Sequence, residues 1–241
     1  MKKLMRGAAC AVLVGAAAAA VPVPAATAAT PITPGSHYWM YAGAGSGRLG
    51  NWNTLGRTTS TDAAFSTARA GAWVYGDSLT RSDYASLAAS LQARGIPSAV
   101  DAQGGLPTVP ALERLAARVA RQGAPRILVM ATGSNDIFRP TYIAPASTKV
   151  RRVVGAQTKI VWVNVYVERV RVSHTMQAAD LRNSRTVNAA IASAPTNRVV
   201  DWYGFLMAKS SRPGAYLKDG VHTTTSGQAA RNALIVASVT S

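Results

Sequence analysis

Short apolar runs alternate with amphipathic segments from residue 72 to the end of the chain. The apolar runs predict five β-strands, at residues 72–75, 98–101, 126–131, 159–166 and 198–202. Helical spacing of apolar residues occurs at residues 82–94, 144–154, 178–192 and 225–239, and on a face formed by Val109, Leu112, Leu115 and Val119. Thr225 and Gln228 have capping-box spacing at the start of the last helix.

Apolar strands that each lead into a helix are typical of a parallel sheet with both faces covered. The pattern predicts one α/β domain at residues 72–241, a three-layer α/β/α sandwich around a five-stranded parallel sheet. In such sheets the functional groups lie at the carboxyl ends of the strands. Candidate functional residues are therefore expected in the loops that follow the strands.

Residues 29–71 lack sustained periodicity and are rich in Gly, Ser, Thr and aromatic residues, among them Trp39 and Trp52. We interpret them as an irregular extension packed on the domain. Their aromatic side chains could bind sugar rings, but Trp and Tyr in an irregular segment more often anchor it to a core.

The first 28 residues have the pattern of a secretory signal peptide. Three basic residues precede an Ala/Val/Leu-rich run, and Ala26, Thr27 and Ala28 form a cleavage signal. The apolar run ends near residue 21, which is too short for a membrane span of about 20 apolar residues. A lipoprotein anchor on Cys10 is disfavoured because this cysteine does not close the run. The leader predicts that the protein is exported and is either extracellular or associated with the cell wall.

The few Cys and His residues restrict the chemistry. Cys10 is the single cysteine and lies in the leader, so the exported chain can form no disulfide, no thiolate zinc site and no thiol nucleophile. The only histidines are His37, His174 and His222, which disfavours a multi-histidine metal site. We expect no metal and no organic cofactor.

The chain is strongly basic, with 26 Lys and Arg against 10 Asp and Glu, a net charge of +16 that becomes +13 without the leader. A basic exported protein can associate with anionic cell-wall polymers. Most of the arginines are scattered through the predicted helices without interleaved aromatics, so we expect a solvated basic surface and no dedicated nucleic-acid site. Residues 169–174 could form a flap over an anionic substrate or a solvated loop.

Residues suited to acyl transfer lie in four loops of the predicted domain. Ser78 follows the first strand in Gly-Asp-Ser-Leu, near the positive end of a helix dipole. Gly105 follows the second strand, and Asn135 follows the third in Gly-Ser-Asn-Asp. Asp219 and His222 stand three residues apart in Asp-Gly-Val-His, just before the last helix.

These residue types meet the requirements of nucleophilic catalysis on an acyl group. A serine hydroxyl becomes a nucleophile when an imidazole takes its proton, and a carboxylate can hold the second ring nitrogen. Backbone amides and a neutral side-chain amide can bind the oxyanion, each donor lowering the barrier by roughly 3 kcal/mol.

The four segments, in this order, resemble the sequence blocks of the SGNH (GDSL) hydrolase superfamily over residues 72–239. The resemblance implies a flavodoxin-like sheet, with Ser78 as nucleophile, His222 as base and Asp219 as the residue that orients the base. It also implies an oxyanion hole made by the amides of Ser78 and Gly105 and the side chain of Asn135. Residues 101–102, 163–165 and 200–202 loosely resemble the branch that acts on O-acetyl groups of peptidoglycan.

Each candidate residue also has a structural interpretation. Ser78 could be a helix cap, His222 a buried core histidine, and Asp219 only a loop anchor. Asp77 and Asp136 are expected to bond loop amides rather than to react.

Together these features predict an exported serine esterase that hydrolyses or transfers small acyl groups of carbohydrate or other esters through an acyl-enzyme. Its expected partner is an ester or acylated-glycan substrate, and no membrane span is expected. The alternative is a non-catalytic module that binds cell walls or polyanionic glycans on the same fold.

Overall fold

The computed structural model describes residues 44–196, 198–209 and 213–241. The predicted leader with Cys10, and residues 29–43 with His37 and Trp39, lie outside the described residues.

Strands and helices alternate along the described chain. The strands are β1 (Arg57–Thr59), β2 (Ala72–Gly76), β3 (Ser98–Gln103), β4 (Ile127–Ala131), β5 (Lys159–Val163) and β6 (Arg198–Val200). The helices are α1 (Asp62–Thr67), α2 (Ser78–Gln92), α3 (Thr108–Gln122), α4 (Ile143–Val154), α5 (His174–Ala192), α6 (Trp202–Met207) and α7 (Thr225–Thr240). Short 3₁₀ helices occur at Trp52–Thr54, Ala68–Ala70, Asp136–Phe138, Pro140–Tyr142 and Pro213–Ala215.

The sheet has the strand order β1-β3-β2-β4-β5-β6. All neighbouring pairs from β3 to β6 are parallel, whereas β1 pairs antiparallel with β3. The predicted mostly parallel α/β sheet is confirmed, but the prediction of five strands is wrong, since the sheet has six. β1 lies in the segment interpreted as irregular, and its three exposed residues have no apolar alternation from which a strand could be predicted.

Alternate residues of the strands face two separate cores, as strand geometry requires. On β2, Ala72 and Val74 pack in a cluster with residues of α2 and α7, such as Leu87 and Ile235. Trp73 and Tyr75 face the opposite cluster, which includes residues of α1, α3, α4 and α5. The molecule therefore has the predicted three layers.

Several element ends differ from the sequence prediction because polar side chains cap them. α2 begins at Ser78 rather than residue 82, since the Asp77 carboxylate accepts the Leu79 amide. Asp201 ends β6 early and caps α6, which the sequence did not predict. The N-cap of α7 is Thr224, whose hydroxyl accepts the Gly227 amide, so the predicted capping box at Thr225 is wrong.

The chain leaves β2 through α2 to β3 on one side of the sheet and later reaches β4 on the other side through α3. The carboxyl end of β2 is therefore a topological switch point, where α/β sheets usually bind ligands. Within the described ranges, we find no helix with the length and hydrophobicity needed to cross a membrane.

Candidate active site

The turn from β2 into α2 presents Ser78 at the switch point. Gly76 must lack a side chain, because a Cβ there would overlap the side chain of Thr80. Asp77 occupies the cap position, with its Oδ1 3.0 Å from the Leu79 amide nitrogen. Ser78 is thus the first residue of the helix, half-buried, and its hydroxyl is not used as the cap.

Asp219 and His222 lie on a narrow loop that precedes α7. The loop is closed by a bridge between Leu217 and Thr223. Asp219 Oδ1 accepts the amides of Val221 and His222, at 3.0 and 2.8 Å. The carboxylate therefore shapes the loop that carries the imidazole.

A continuous hydrogen-bonded chain joins three of the predicted residues. His222 Nδ1 lies 2.8 Å from Asp219 Oδ2, and His222 Nε2 lies 3.0 Å from Ser78 Oγ. The side chains of His222 and Asp219 are 45% and 43% exposed, so this is not a buried core histidine. Partial burial acts to raise the pKa of Asp219, but hydrogen bonds from the His222 side chain and backbone outweigh it, and the pKa is lowered.

The β5–α5 connection pairs with the loop of Asp219 through backbone hydrogen bonds. The Glu168 amide donates to the Gly220 carbonyl at 3.0 Å, and the Val170 amide donates to the Asp219 carbonyl at 3.1 Å. Gly220 has φ +84°, and a Cβ there would overlap the Glu168 carbonyl oxygen. These contacts were not foreseen, because backbone pairing between distant loops leaves no side-chain pattern in the sequence.

The other two predicted residues lie on the loops that flank Ser78. Gly105 follows β3 and Asn135 follows β4, the two strands that neighbour β2. Because these strands are parallel and in register at Gly76, their following loops lie at one edge of the sheet. The Asn135 side-chain amide is 3.4 Å from the Leu106 carbonyl, which links the two loops.

Residues before β1 pack directly on the Gly105 loop. The Gln103 side-chain amide donates to the Trp52 carbonyl at 3.1 Å, and Trp52 is buried in a cluster with Leu106. Gly105 has φ +67°, and a Cβ there would come within 2.9 Å of the Trp52 Cβ. Glycine is therefore required at position 105 by both the backbone conformation and the covering segment, which sequence periodicity could not indicate.

Asp136 and Arg169 have structural partners. Asp136 is buried and accepts the amide and hydroxyl of Thr108, as expected for a loop anchor. The Arg169 guanidinium forms an ion pair with the buried carboxylate of Asp180 at 2.8 Å. This ion pair fixes Arg169 to α5. The first residue of the segment 169–174, which we considered as a possible flap, is therefore not free. His174 is exposed, at the first turn of α5.

A buried ion pair joins α7 to α2, the helix that begins at Ser78. The side chains of Arg231 on α7 and Asp83 on α2 are 2% and 0% exposed, and their nearest charged atoms are 3.6 Å apart. Arg231 also contacts the Thr80 hydroxyl at 3.4 Å. Burial raises the pKa of Asp83 to about 6 and also raises that of Asp77, although the charge of Arg231 opposes both shifts.

Within the residues covered by the structure, no group of three or more His, Cys, Asp or Glu side chains could hold a metal ion. The arrangement at Ser78 offers a hydroxyl, an imidazole and a carboxylate in hydrogen-bond contact, beside amide donors of neighbouring loops. Such an arrangement can perform proton-coupled nucleophilic attack.

No family model matches this sequence, and no curated protein matches it either. Several solved structures are similar. The C-terminal catalytic domain of peptidoglycan O-acetyltransferase A from Streptococcus pneumoniae is 17% identical, with a TM-score of 0.52 over 71% of this chain and 90% of that domain. A putative SGNH hydrolase from Slackia heliotrinireducens is 18% identical, with a TM-score of 0.57 over 70% of this chain and 98% of its own.

An acetylxylan esterase from Geobacillus stearothermophilus is 14% identical, with a TM-score of 0.54 over 71% of this chain and 96% of the esterase. At these identities the similarity concerns the fold. The fold that the sequence motifs implied is confirmed: the chain has the fold of the SGNH hydrolase superfamily.

Proposed function

We propose that the protein is a serine esterase or acyltransferase that acts on small acyl esters. The observation that carries this proposal is the hydrogen-bonded chain from the Asp219 carboxylate through the His222 ring to the Ser78 hydroxyl. Because the two links use opposite nitrogens of one ring, the tautomer with its proton on Nδ1 leaves Nε2 free to accept the serine proton.

In the first half-reaction, Ser78 Oγ attacks the ester carbonyl carbon and His222 Nε2 takes its proton. The lowered pKa keeps Asp219 ionised, so that its charge stabilises the imidazolium as it forms. The amides of Ser78 and Gly105 and the side chain of Asn135 bind the oxyanion. When the intermediate collapses, the bond to the alcohol oxygen breaks, and His222 returns the proton to that oxygen.

In the second half-reaction, an incoming hydroxyl attacks the acyl-enzyme and gives its proton to His222. The bond between the acyl carbon and Ser78 Oγ then breaks, and His222 returns the proton to Oγ, which restores the hydroxyl as the acyl product leaves. Water as acceptor makes the protein an esterase, and a sugar hydroxyl makes it a transferase.

We propose carbohydrate esters with small acyl groups, such as acetyl, as the substrate class. The support is that similar structures include a peptidoglycan O-acetyltransferase domain and acetylxylan esterases. The predicted leader further supports export, which sequencing the N-terminus of the exported chain tests: cleavage after Ala28 gives Ala29 as the first residue.

Labelling with a fluorophosphonate tests the role of Ser78. We expect the wild type to be labelled, since an activated serine attacks phosphorus, and Ser78→Ala to remain unlabelled. Ser82→Ala is the matched control, because Ser82 lies one turn further along α2 and bonds the Leu79 carbonyl. Unlabelled wild type, or equal labelling of Ser78→Ala, contradicts the proposal.

A further inference from the structure

Basic residues stand at the start of three neighbouring strands, on the sheet edge opposite Ser78. Arg126 directly precedes β4, Lys159 opens β5 and Arg198 opens β6. Ile127 pairs with Lys159, and Val161 pairs with Arg198. With strands about 4.8 Å apart and about 3.3 Å per residue, the backbones of each neighbouring pair of these cations lie within about 8 Å of each other.

These charges affect one another. Burial lowers the pKa of Lys159, and the positive charges of Arg198 and Arg126 lower it further. Lys159 Nζ also donates to the Val239 carbonyl at 3.0 Å and so caps the end of α7. Arg126 and Arg198 are exposed, and their side chains make no hydrogen bond or ion pair with the described residues.

Helix ends add further cations to the same edge, because helices between parallel strands return the chain to it. Exposed arginines lie at the carboxyl ends of α2, α3 and α4, and another lies just before β2. We call the complete set the basic edge: Arg69, Arg94, Arg121, Arg126, Arg152, Lys159 and Arg198.

The carboxylates of the described residues are directed elsewhere. Six of them lie in or after the carboxyl ends of strands, or before α7, on the side of Ser78: Asp77, Asp101, Asp136, Glu168, Asp201 and Asp219. Three more lie in the first halves of α2, α3 and α5, toward the same side: Asp83, Glu113 and Asp180. The positive charge of Arg121 helps to lower the pKa of Asp62, so this acid lies near the basic edge, but Arg118 already binds it at 2.6 Å. Among the residues that the structure covers, no member of the basic edge forms an ion pair.

We propose that the basic edge is a docking surface for a linear phosphodiester polyanion, an anionic glycopolymer of the cell wall. Six of its seven cations are arginines, whose guanidinium groups bind phosphate oxygens in pairs. A row of charges along neighbouring strands suits a polymer with repeated charges better than one small anion, and the predicted export puts such polymers within reach. Docking there leaves the Ser78 edge, on the opposite side of the sheet, accessible to substrate.

Binding to immobilised poly(glycerol phosphate) at about 50 mM salt tests this assignment. The test variant is Arg126→Glu/Arg198→Glu. The matched control is Arg48→Glu/Arg185→Glu, which makes the same change in net charge at exposed arginines outside the basic edge. We expect the test variant to lose at least about tenfold in affinity, with a shallower salt dependence, and the control to lose less than about threefold.

Equal losses in the two double variants would mean that only net charge matters and would overturn the proposal. Tighter wild-type binding to duplex DNA than to poly(glycerol phosphate) would overturn the choice of partner. Unchanged circular dichroism and thermal midpoint show that the variants fold. If the double Glu variant does not fold, Arg126→Gln/Arg198→Gln replaces it, with Arg48→Gln/Arg185→Gln as its control. The surface is independent of the reaction proposed at Ser78, since a chain that binds the polymer but hydrolyses no ester refutes only that reaction.

Discussion

At the scale of single residues, hydrogen bonds of neighbouring side chains place the proposed reactive groups. Asp77 takes the cap position of α2, which leaves the Ser78 hydroxyl for His222. Asp219 uses one oxygen for the amides of its own loop and the other for the imidazole. The loop-anchor role considered for Asp219 and its proposed orienting role are therefore compatible in one carboxylate.

The oxyanion role proposed for Asn135 predicts a selective loss of turnover. Asn135→Ala removes one donor to the developing negative charge, so kcat should fall about a hundredfold or more while KM changes much less. Steady-state kinetics on nitrophenyl acetate measures both constants. A wild-type kcat in this variant would remove Asn135 from the oxyanion hole.

The raised pKa of Asp83 predicts a pH-dependent stability. Below about pH 4 its carboxyl is protonated in both the folded and the unfolded chain. Between about pH 4 and 6 only the folded chain keeps the proton, so the wild type loses stability as the pH rises through this window. The free energy of unfolding of Asp83→Asn should therefore increase relative to wild type between these values and then level off.

Urea unfolding at pH 4, 5, 6 and 7 measures this difference. Asp62→Asn is the control, because the hydrogen bond and the charge of Arg118 lower the pKa of Asp62, a shift opposite in direction to that of Asp83. A difference between Asp83→Asn and wild type that stays constant from pH 4 to 7 contradicts the assignment.

At the scale of elements, the site depends on backbone contacts between loops. The β5–α5 connection pairs with the loop before α7 through Glu168 and Val170, and this pairing fits only a glycine at position 220. The imidazole position is thus set by two loops that are about fifty residues apart in the sequence.

Gly220→Ala should displace this loop and lower kcat/KM by about tenfold or more, because the added methyl overlaps the backbone carbonyl of Glu168 and a misplaced imidazole costs rate. Gly155→Ala is the matched control, since Gly155 has a similar φ of +77° but open space around its Cβ. Gly155→Ala should lose about 1–3 kcal/mol of stability from backbone strain, since φ 77° and ψ 175° are nearly restricted to glycine, and Gly220→Ala should lose at least as much. Only Gly220→Ala should lose activity, as measured by kinetics on the folded proteins, and equal activity of the two would argue against the loop contact.

At the scale of the whole molecule, residues 57–71 form part of the folded sheet and its core. Strand β1 is held to β3 by pairing and by the Arg57–Asp101 ion pair, in which the Asp101 side chain is 2% exposed. Phe65 is fully buried against Trp73, with ring centroids 5.2 Å apart, and its carbonyl accepts the Trp73 indole N–H. The boundary at residue 71 in the predicted domain division stays a prediction.

Phe65→Ala should destabilise the protein by about 3–5 kcal/mol, because it removes a buried ring and leaves a cavity. Leu55→Ala is the control from the same segment, since Leu55 is 50% exposed and should cost about 0.5 kcal/mol or less. Denaturant unfolding measures both. Near-equal effects would show that this segment does not contribute to the core.

Apolar periodicity and glycine-containing strand ends are local signals, so the sequence was enough to predict the alternation of elements, the three layers and the candidate residues. Ser78, Asn135, Asp219 and His222 were found from their places in strand-end motifs, and the resemblance to the SGNH (GDSL) hydrolase superfamily implied their roles. The edge strand β1 was not predicted, because its position depends on pairing with β3 and on the Arg57–Asp101 ion pair, not on alternation of apolar residues in its own sequence.

Which groups meet in space became known from the folded chain. It brings His222 to 3.0 Å from Ser78 across 144 residues, buries Arg231 beside Asp83, and gathers cations scattered along the chain at one edge of the sheet. Such contacts arise from strand order and loop pairing, which depend on the packing of the whole chain. Their energies act between residues distant in sequence, so no local pattern encodes them.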